Sequence, residues 1–426
     1  MRKTKGAAAS GSARLPRPDS EMRRQSRNSS EHLGYLDSIR GLAAVSVIVY
    51  HFTQAYGNPP GGWIWMRTPL VALLEGPAAV SLFFVLSGFV LSLKQFSGAA
   101  TLKPSEFSYL GYVVARCCRI WLPFLIMLAI SAALPRPLFA HADTVPSPSA
   151  WTAVFYRLPQ WPVSLREFAE EAMLVRLPFP WLVPQGWTLG IELVVSLIVP
   201  VAVAVAFRST FWLLAATLIA IRPLGLNVFV LHFVLGIILA KHRAEIVQIV
   251  APRRAVKALL CLVGLTLYSS REMFAVGTGP DGKPVTWMWV VTGVGSVLLL
   301  IVVLSSTSLQ RMLLRRWIKH VGKTSYSTYL LHMAVLFCLT PMLLHWIAFN
   351  HRHIAWTIGL VATVGATLVL AEPMYWLIEV PSIRLGKTLS RWLASAGRRS
   401  RAAKPERLAE AAGLSADASL ATEAAL

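Results

Sequence analysis

Residues 286–305 read TWMWVVTGVGSVLLLIVVLS and contain no Asp, Glu, Lys or Arg. A helix needs about 20 mostly apolar residues to cross the hydrocarbon core of a bilayer, so this stretch is long enough to span one. Other segments share this character, and the full set of candidate spans is 36–56, 71–93, 113–134, 187–207, 209–221, 224–241, 255–270, 286–305, 325–347 and 354–379. The sequence therefore predicts an all-α integral membrane protein, a polytopic bundle of about ten transmembrane helices.

The composition of the 426-residue chain agrees with a membrane bundle and excludes other classes of protein. Hydrophobic residues make up 55% of the chain and charged residues only 14%, whereas a soluble domain carries about 25% charged residues. A soluble globular enzyme and a disordered chain are therefore both excluded. The net charge of +21 does not indicate a nucleic-acid partner, because nucleic-acid binders are basic without being this apolar. The four cysteines lack metal-ligand spacing, and we predict no metal site.

The distribution of basic residues predicts the orientation of the bundle. With the N-terminus inside, 32 of the 41 Lys and Arg residues fall in cytoplasmic segments, as the positive-inside rule requires, which favours an N-in/C-in arrangement. Residues 1–32 form a basic segment without an apolar run, and residues 389–426 are polar or Ala-rich. We expect both to be disordered cytoplasmic tails that flank a transmembrane domain over residues 33–388.

The first candidate span holds three strong polar groups on one face. It reads YLDSIRGLAAVSVIVYHF and contains Asp37, Arg40 and His51. At about 100° per residue the three side chains share a side of the helix, and His51 lies roughly 16 Å beyond Arg40. A neutral imidazole at that depth can take a proton from a hydroxyl group. The alternative is a histidine that only hydrogen-bonds a neighbouring helix.

Further polar residues enter the third and fourth spans. Arg116 and Arg119 lie three residues apart at the cytoplasmic start of the third span, where two guanidinium groups can bind phosphates or anchor the helix at lipid headgroups. Glu192 is the only charged residue between 187 and 207. We expect Glu192 to converge on His51 in the outer half of the membrane, or to fix helix packing through an internal hydrogen bond.

The ninth span contains Ser325, Tyr329 and His332, which are spaced four and three residues apart and share a face. They line a polar tunnel or form a hydrogen-bonded seam between helices. Taken by position, the polar residues describe a bundle with a basic inner mouth and a buried histidine. This arrangement suits a transporter, or an enzyme that joins a cytoplasmic donor to an acceptor, and spacing alone does not separate the two.

The motifs resemble those of the acyltransferase type 3 family of integral-membrane acyltransferases over roughly residues 33–388. Ten residues separate Arg40 from His51 in LDSIRGLAAVSVIVYHF, as in the opening helix of the family. GWTLGIE resembles the family's W-S-L-x-x-E motif, with Thr188 where Ser is usual. Further stretches that resemble family landmarks, in the right order, are LFFVLSGFVLS, RCCRIWLP, FVLGIILA, KTSYSTYLLH and IEVP. Ala79-Val80-Ser81 departs from the Gly-Val-Asp that the family often has.

The resemblance implies transfer of an acyl group, often acetyl, from acyl-coenzyme A to a hydroxyl of a glycan or glycolipid. Arg40, Arg116 and Arg119 would bind the phosphates of the coenzyme. His51 would be the general base or carry the acyl group transiently, with Glu192 positioning the acceptor.

Asp37 would pair with an arginine or orient the inner mouth. Trp187, Ser325, Tyr329 and His332 would line the substrate route. The resemblance also places the protein in the bacterial inner membrane, among membrane lipids. The alternative is a non-enzymatic multi-pass carrier or an exporter of lipid-linked sugars.

Overall fold

The computed structural model describes ten stretches of the chain: 34–59, 61–62, 68–96, 108–133, 151, 163–174, 182–221, 227–274, 286–346 and 352–396. Within these stretches every regular element is helical and no strand occurs. The predicted tail 1–32 lies outside the described residues. The predicted tail 389–426 is in part helical, because a helix continues over residues 380–396 with Leu385, Leu389 and Trp392 at helical spacing; its remainder also lies outside.

The helices follow the apolar segments of the sequence. In the first part of the chain they are α1 (Gly34–Tyr56), a short 3-10 helix (Pro69–Leu73), α2 (Gly76–Phe96), α3 (Tyr109–Ala133), α4 (Leu165–Ala172), α5 (Gly186–Arg208), α6 (Thr210–Ile221), α7 (Phe229–Lys241) and α8 (Arg243–Val250). In the second part they are α9 (Arg254–Tyr268), α10 (Ser270–Phe274), α11 (Thr286–Leu304), α12 (Thr307–Leu313), α13 (Arg316–Lys323), α14 (Ser325–Ala334), a π-helical segment (Val335–Leu339), α15 (Thr340–Trp346), α16 (Arg352–Met374) and a second π-helical segment (Tyr375–Glu379). Each of the predicted apolar segments contains a helix.

Six helices in the described part of the chain are long and apolar enough to cross a membrane. They are Gly76–Phe96, Tyr109–Ala133, Gly186–Arg208, Trp287–Leu304, Ser325–Leu344 and Ile354–Ala396. The prediction of an all-α protein with membrane helices is confirmed. The count of about ten spans and the N-in/C-in orientation stay predictions.

Two glycines allow α2 and α7 to touch through their backbones. A Cβ atom on Gly88 would lie 2.1 Å from the carbonyl oxygen of Phe233, and one on Gly236 would lie 2.1 Å from that of Val85. Any side chain at these positions would force the helices apart, whereas glycine permits the close approach that stabilises membrane helix pairs. The buried ring of Phe89 packs in the same core.

Two hydrogen bonds fix the register of α1 within the bundle. Near its first turn, the hydroxyl of Ser38 donates to the carbonyl oxygen of Leu313 at 2.7 Å. At its last residue, the hydroxyl of Tyr56 donates to the carbonyl oxygen of Leu336 at 3.2 Å. Because α1 also packs along α13 and α14, its polar face lies against the polar face of α14.

The second π-helical segment turns a carboxylate into the bundle. Pro373 lies just before it in α16 and has no N–H to donate to the helical ladder. Glu379 ends the segment, is buried, and accepts a 2.7 Å hydrogen bond from the hydroxyl of Ser327. Such π-helical insertions are frequent at functional sites.

Candidate functional site

A large cavity opens at the end of the bundle where α1 begins, and we call it the vestibule. Its volume is about 1150 Å³, and α1, α3, α13 and the helix after residue 379 all contribute to its wall. Two carboxylates, Asp37 and Glu379, line it. The cations that line it are Arg40, Arg119, Arg316, Lys319, Lys323, Arg384 and Lys387. Seven cations against two carboxylates give the vestibule a positively charged wall, which would attract an anionic ligand.

A second, narrow cavity continues from the vestibule, and we call it the inner pocket. The two cavities share Arg40, Ser325 and Tyr326 in their walls. The volume of the inner pocket is about 30 Å³, which is enough for roughly two water molecules. Its apolar wall contains Val80, Phe83, Phe84 and Leu189, and its polar wall contains Ser87, Thr188, Glu192 and Tyr329.

Beyond the inner pocket, a line of contacts leads to His51. The hydroxyls of Tyr329 and Thr188 share a 2.7 Å hydrogen bond. The carbonyl oxygen of Tyr329 lies 2.6 Å from Nδ1 of His332. Nε2 of His332 in turn lies 3.0 Å from Nδ1 of His51. These contacts connect the vestibule and the inner pocket to His51, the predicted base, through residues that touch one another.

The ring of His51 is enclosed by aromatic groups. It stacks on the ring of Trp151, with centroids 5.6 Å apart, and meets the ring of Tyr50 edge-on at 5.2 Å. Trp151 also stacks on Phe337 at 5.9 Å. His51 keeps part of its surface exposed, whereas His332 is 1% exposed. Of the two histidines, His51 is thus the more accessible.

The two arginines of the RxxR motif take different positions. Arg119 lines the vestibule together with Arg40. Arg116 instead donates from Nη2 to Oε1 of Glu192 at 3.3 Å and from Nε to the hydroxyl of Ser196 at 3.1 Å. Glu192 also accepts from the hydroxyl of Ser87 at 3.2 Å. In the described part of the chain, Glu192 therefore contacts Arg116 and Ser87 rather than His51.

The remaining predicted residues divide between the cavities and the periphery. Asp37 and Ser325 line the vestibule, and Ser325 and Tyr329 line the inner pocket. Trp187 lines neither of these cavities, is exposed, and its ring meets that of Phe229 at 5.8 Å. Among the residues that the structure describes, no three His, Cys, Asp or Glu side chains group as metal ligands.

Sequence reasoning did not single out several residues that line the vestibule. Arg316, Lys319 and Lys323 belong to one basic cluster of the sequence, and Arg384 and Lys387 belong to another. The positive-inside count includes these residues, but a count of charges cannot tell which of them face a cavity. Their helical spacing within α13 is the signal that could have been used, because positions 316, 319, 320 and 323 share one face.

A separate buried cluster lies at the opposite end of α1. Glu75, just before α2, is fully buried and its Oε1 accepts a 2.8 Å hydrogen bond from the backbone N–H of Glu272. Nearby, Arg271 donates to the hydroxyl of Tyr50 at 3.4 Å. Burial raises the pKa of the Glu75 carboxyl from its ordinary value of 4.5 to about 7. This end of the bundle therefore holds a buried carboxyl whose neutral form is favoured by its surroundings.

Comparison with known proteins gives one match. The sequence profile of the family described as "Acyltransferase domain", the acyltransferase type 3 family, matches residues 33–372. Neither the curated proteins nor the solved structures contain a match to the chain. The profile covers most of the chain and includes α1, α2, α3, α5 and α14, which carry the motifs of the vestibule, the inner pocket and the histidine pair. On this match the chain belongs to the acyltransferase type 3 family.

Proposed function

We propose that this protein is a membrane-bound O-acyltransferase that moves an acyl group from cytoplasmic acyl-coenzyme A to a hydroxyl of a cell-surface or exported glycan or glycolipid. The observation that carries the proposal is the unbroken line from a basic vestibule, through a narrow pocket, to a pair of histidines. A donor with phosphates at one end and a thioester at the other matches this order of environments. The bacterial inner membrane is the proposed location.

The vestibule suits the nucleotide end of the donor. Its excess of cations complements phosphates, and Arg40 and Arg119 offer planar guanidinium groups that can bind phosphate oxygens through two hydrogen bonds. Trp317 and Tyr375 also line the vestibule and present ring surface to an adenine. The positive-inside count predicts that this mouth faces the cytoplasm, where acyl-coenzyme A is available.

The inner pocket suits the acyl end of the donor. Arg40 belongs to both cavities, so a ligand held there by its phosphates has its flexible arm directed into the pocket. The small volume and the wall of Phe83 and Phe84 favour a short acyl group, and acetyl fits this restriction best. The hydroxyl of Tyr329 lies in the same wall and can donate to the thioester carbonyl oxygen.

The chemistry assigned to His51 is general base catalysis. The imidazole removes the proton from the acceptor hydroxyl as its oxygen attacks the thioester carbonyl carbon. The new C–O bond forms, the C–S bond breaks, and the proton passes from His51 to the departing thiolate. Atoms and charge balance without a metal or a redox partner. Glu192 would contribute by holding Arg116 and Ser87 beside the inner pocket.

The test is acyl transfer by membranes that contain the protein or its variants, with radiolabelled acetyl-coenzyme A and a glycolipid fraction from a strain that lacks the gene. We expect His51→Ala to abolish labelling while the protein stays in the membrane. His242→Ala is the matched control, because His242 contacts Thr210 and Glu245 far along the chain from both cavities and should leave labelling intact.

Two results would overturn the proposal. Labelling that persists in His51→Ala would remove the proposed base. A purified protein that binds no labelled acetyl-coenzyme A, yet moves a sugar-linked lipid across vesicles without it, would identify a non-enzymatic carrier instead.

A further inference from the structure

The hydrogen bond between His332 and Tyr329 determines which ring nitrogen of His332 carries a proton. Nδ1 of His332 lies 2.6 Å from the backbone carbonyl oxygen of Tyr329. A carbonyl oxygen only accepts hydrogen bonds, so Nδ1 must be the protonated nitrogen. In the neutral ring the other nitrogen, Nε2, then holds a lone pair and can only accept.

The protonation of His332 in turn determines which nitrogen of His51 carries a proton. Nε2 of His332 lies 3.0 Å from Nδ1 of His51. Two lone pairs cannot share a hydrogen bond, so the proton between the rings must belong to Nδ1 of His51. The remaining nitrogen of neutral His51, Nε2, is thereby left with its lone pair.

We propose that His332 is a positioning residue that holds His51 in the tautomer with a proton on Nδ1 and a free lone pair on Nε2. This inference rests on the proposed function, since it assigns Nε2 as the atom that removes the acceptor's proton. The groups that face His51 are Tyr50 on α1, Trp151, His332 on α14, and the backbone carbonyl oxygen of Val47 one turn earlier on α1, which accepts a hydrogen bond from the ring. None of them carries a negative charge, so the pair differs from a histidine held by a carboxylate.

The hydrogen bond to His332 also stabilises the protonated form of His51. When Nε2 takes a proton, the hydrogen bond from Nδ1 to His332 becomes charge-assisted and stronger. The burial of His332 at 1% exposure keeps water from competing for that bond. The acceptor ring therefore stabilises the imidazolium at the moment when it forms.

Replacing His332 by Gln or by Asn tests its two hydrogen bonds one at a time. The amide of His332→Gln reaches the position of Nε2 and can accept from His51. The shorter amide of His332→Asn reaches only the position of Nδ1 and contacts Tyr329. We expect His332→Gln to keep most of kcat and His332→Asn to lose about 100-fold, the scale of general base catalysis. KM for acetyl-coenzyme A should stay within about twofold in both, because neither touches the vestibule.

A spectroscopic measurement reports the tautomer itself. In protein labelled with 15N-histidine, identified by comparison with His51→Ala, we expect the unprotonated nitrogen of His51 to be Nε2 in the parent and in His332→Gln. In His332→Asn we expect a mixture of both tautomers. Thermal unfolding of the two variants monitors folding, and because the spectrum is recorded on the parent, a poorly folded variant does not decide the outcome.

The outcomes that contradict the inference are specific. Equal kcat in His332→Gln and His332→Asn, or a parent spectrum with Nδ1 of His51 unprotonated, would overturn the role of His332 while His51→Ala stays inactive and the proposed function stands. Acyl transfer that survives His51→Ala would overturn both proposals.

Discussion

Replacing Glu192 by Leu should destabilise the protein strongly, and Arg116→Met should cost much less in that background than it costs alone. The two side chains are only 20% and 10% exposed, and their nearest charged atoms lie 3.3 Å apart. Coulomb's law with an effective dielectric constant of 20 gives about 5 kcal/mol at this distance, an upper bound that desolvation reduces. Each single variant leaves one buried charge unpaired and should cost about 3 kcal/mol. The coupling energy between the two sites should reach about 2 kcal/mol.

The assay is a double-mutant cycle of parent, Glu192→Leu, Arg116→Met and the double variant, with unfolding followed during a denaturant titration in detergent. The pair Arg166 and Glu170 on α4 is the matched control, because its side chains are 88% and 51% exposed and should show no measurable coupling. Single effects that add up to the double effect would refute the reasoning. Acyl transfer measured on the same proteins separates two roles: a stable but inactive double variant assigns the Glu192–Arg116 pair to catalysis or binding, and a stable active one assigns it to packing.

Three further predictions follow from the cavities and the buried carboxyl. Lys319→Ala should raise KM for acetyl-coenzyme A about threefold, as expected for the loss of one exposed cation–phosphate contact, and the increase should be smaller at high salt. Arg311→Ala, outside the vestibule, should leave KM unchanged, and initial-rate kinetics at two salt concentrations measure both effects. Phe83→Ala should enlarge the inner pocket and increase the rate with butyryl-coenzyme A relative to acetyl-coenzyme A in a competition assay, and an unchanged ratio would remove the pocket as the acyl site. Because the folded pKa of Glu75 is raised from 4.5 to about 7, the folded state binds its proton more tightly and stability should fall as pH rises through that window; Glu75→Gln should therefore raise the unfolding midpoint at pH 8 but not at pH 5.

The helices were predictable because a membrane leaves few choices. A backbone in hydrocarbon must satisfy its hydrogen bonds within the segment, so each long apolar run becomes a helix. The π-helical segments at Val335–Leu339 and Tyr375–Glu379 were not predicted. They interrupt runs that the sequence presents as continuous, and they depend on packing against neighbouring helices rather than on local preference. The helical continuation past residue 388 was also not predicted, because basic residues such as Arg384, Lys387 and Arg391 interrupt its apolar residues.

The candidate site was predictable within single helices and not between them. Helical periodicity places Arg40 and His51 on one face of α1, and the structure agrees by directing that face toward the vestibule and His332. The contact between His51 and His332 joins residues 281 positions apart. It follows from the register of α1 against α14, which no local pattern contains. The same limit explains why Glu192 was expected beside His51 although its neighbour is Arg116.

The proposed function requires a route between two aqueous compartments, and such a route is also a potential leak. The inner pocket has about 30 Å³ of space between apolar and aromatic walls, which leaves little room for a continuous file of water. An ion would have to shed its hydration shell there, at a cost of several kcal/mol. In the proposed mechanism, the constriction that admits the thin arm of the donor would also insulate the membrane, so that ion gradients are kept while a covalent group passes from one side to the other.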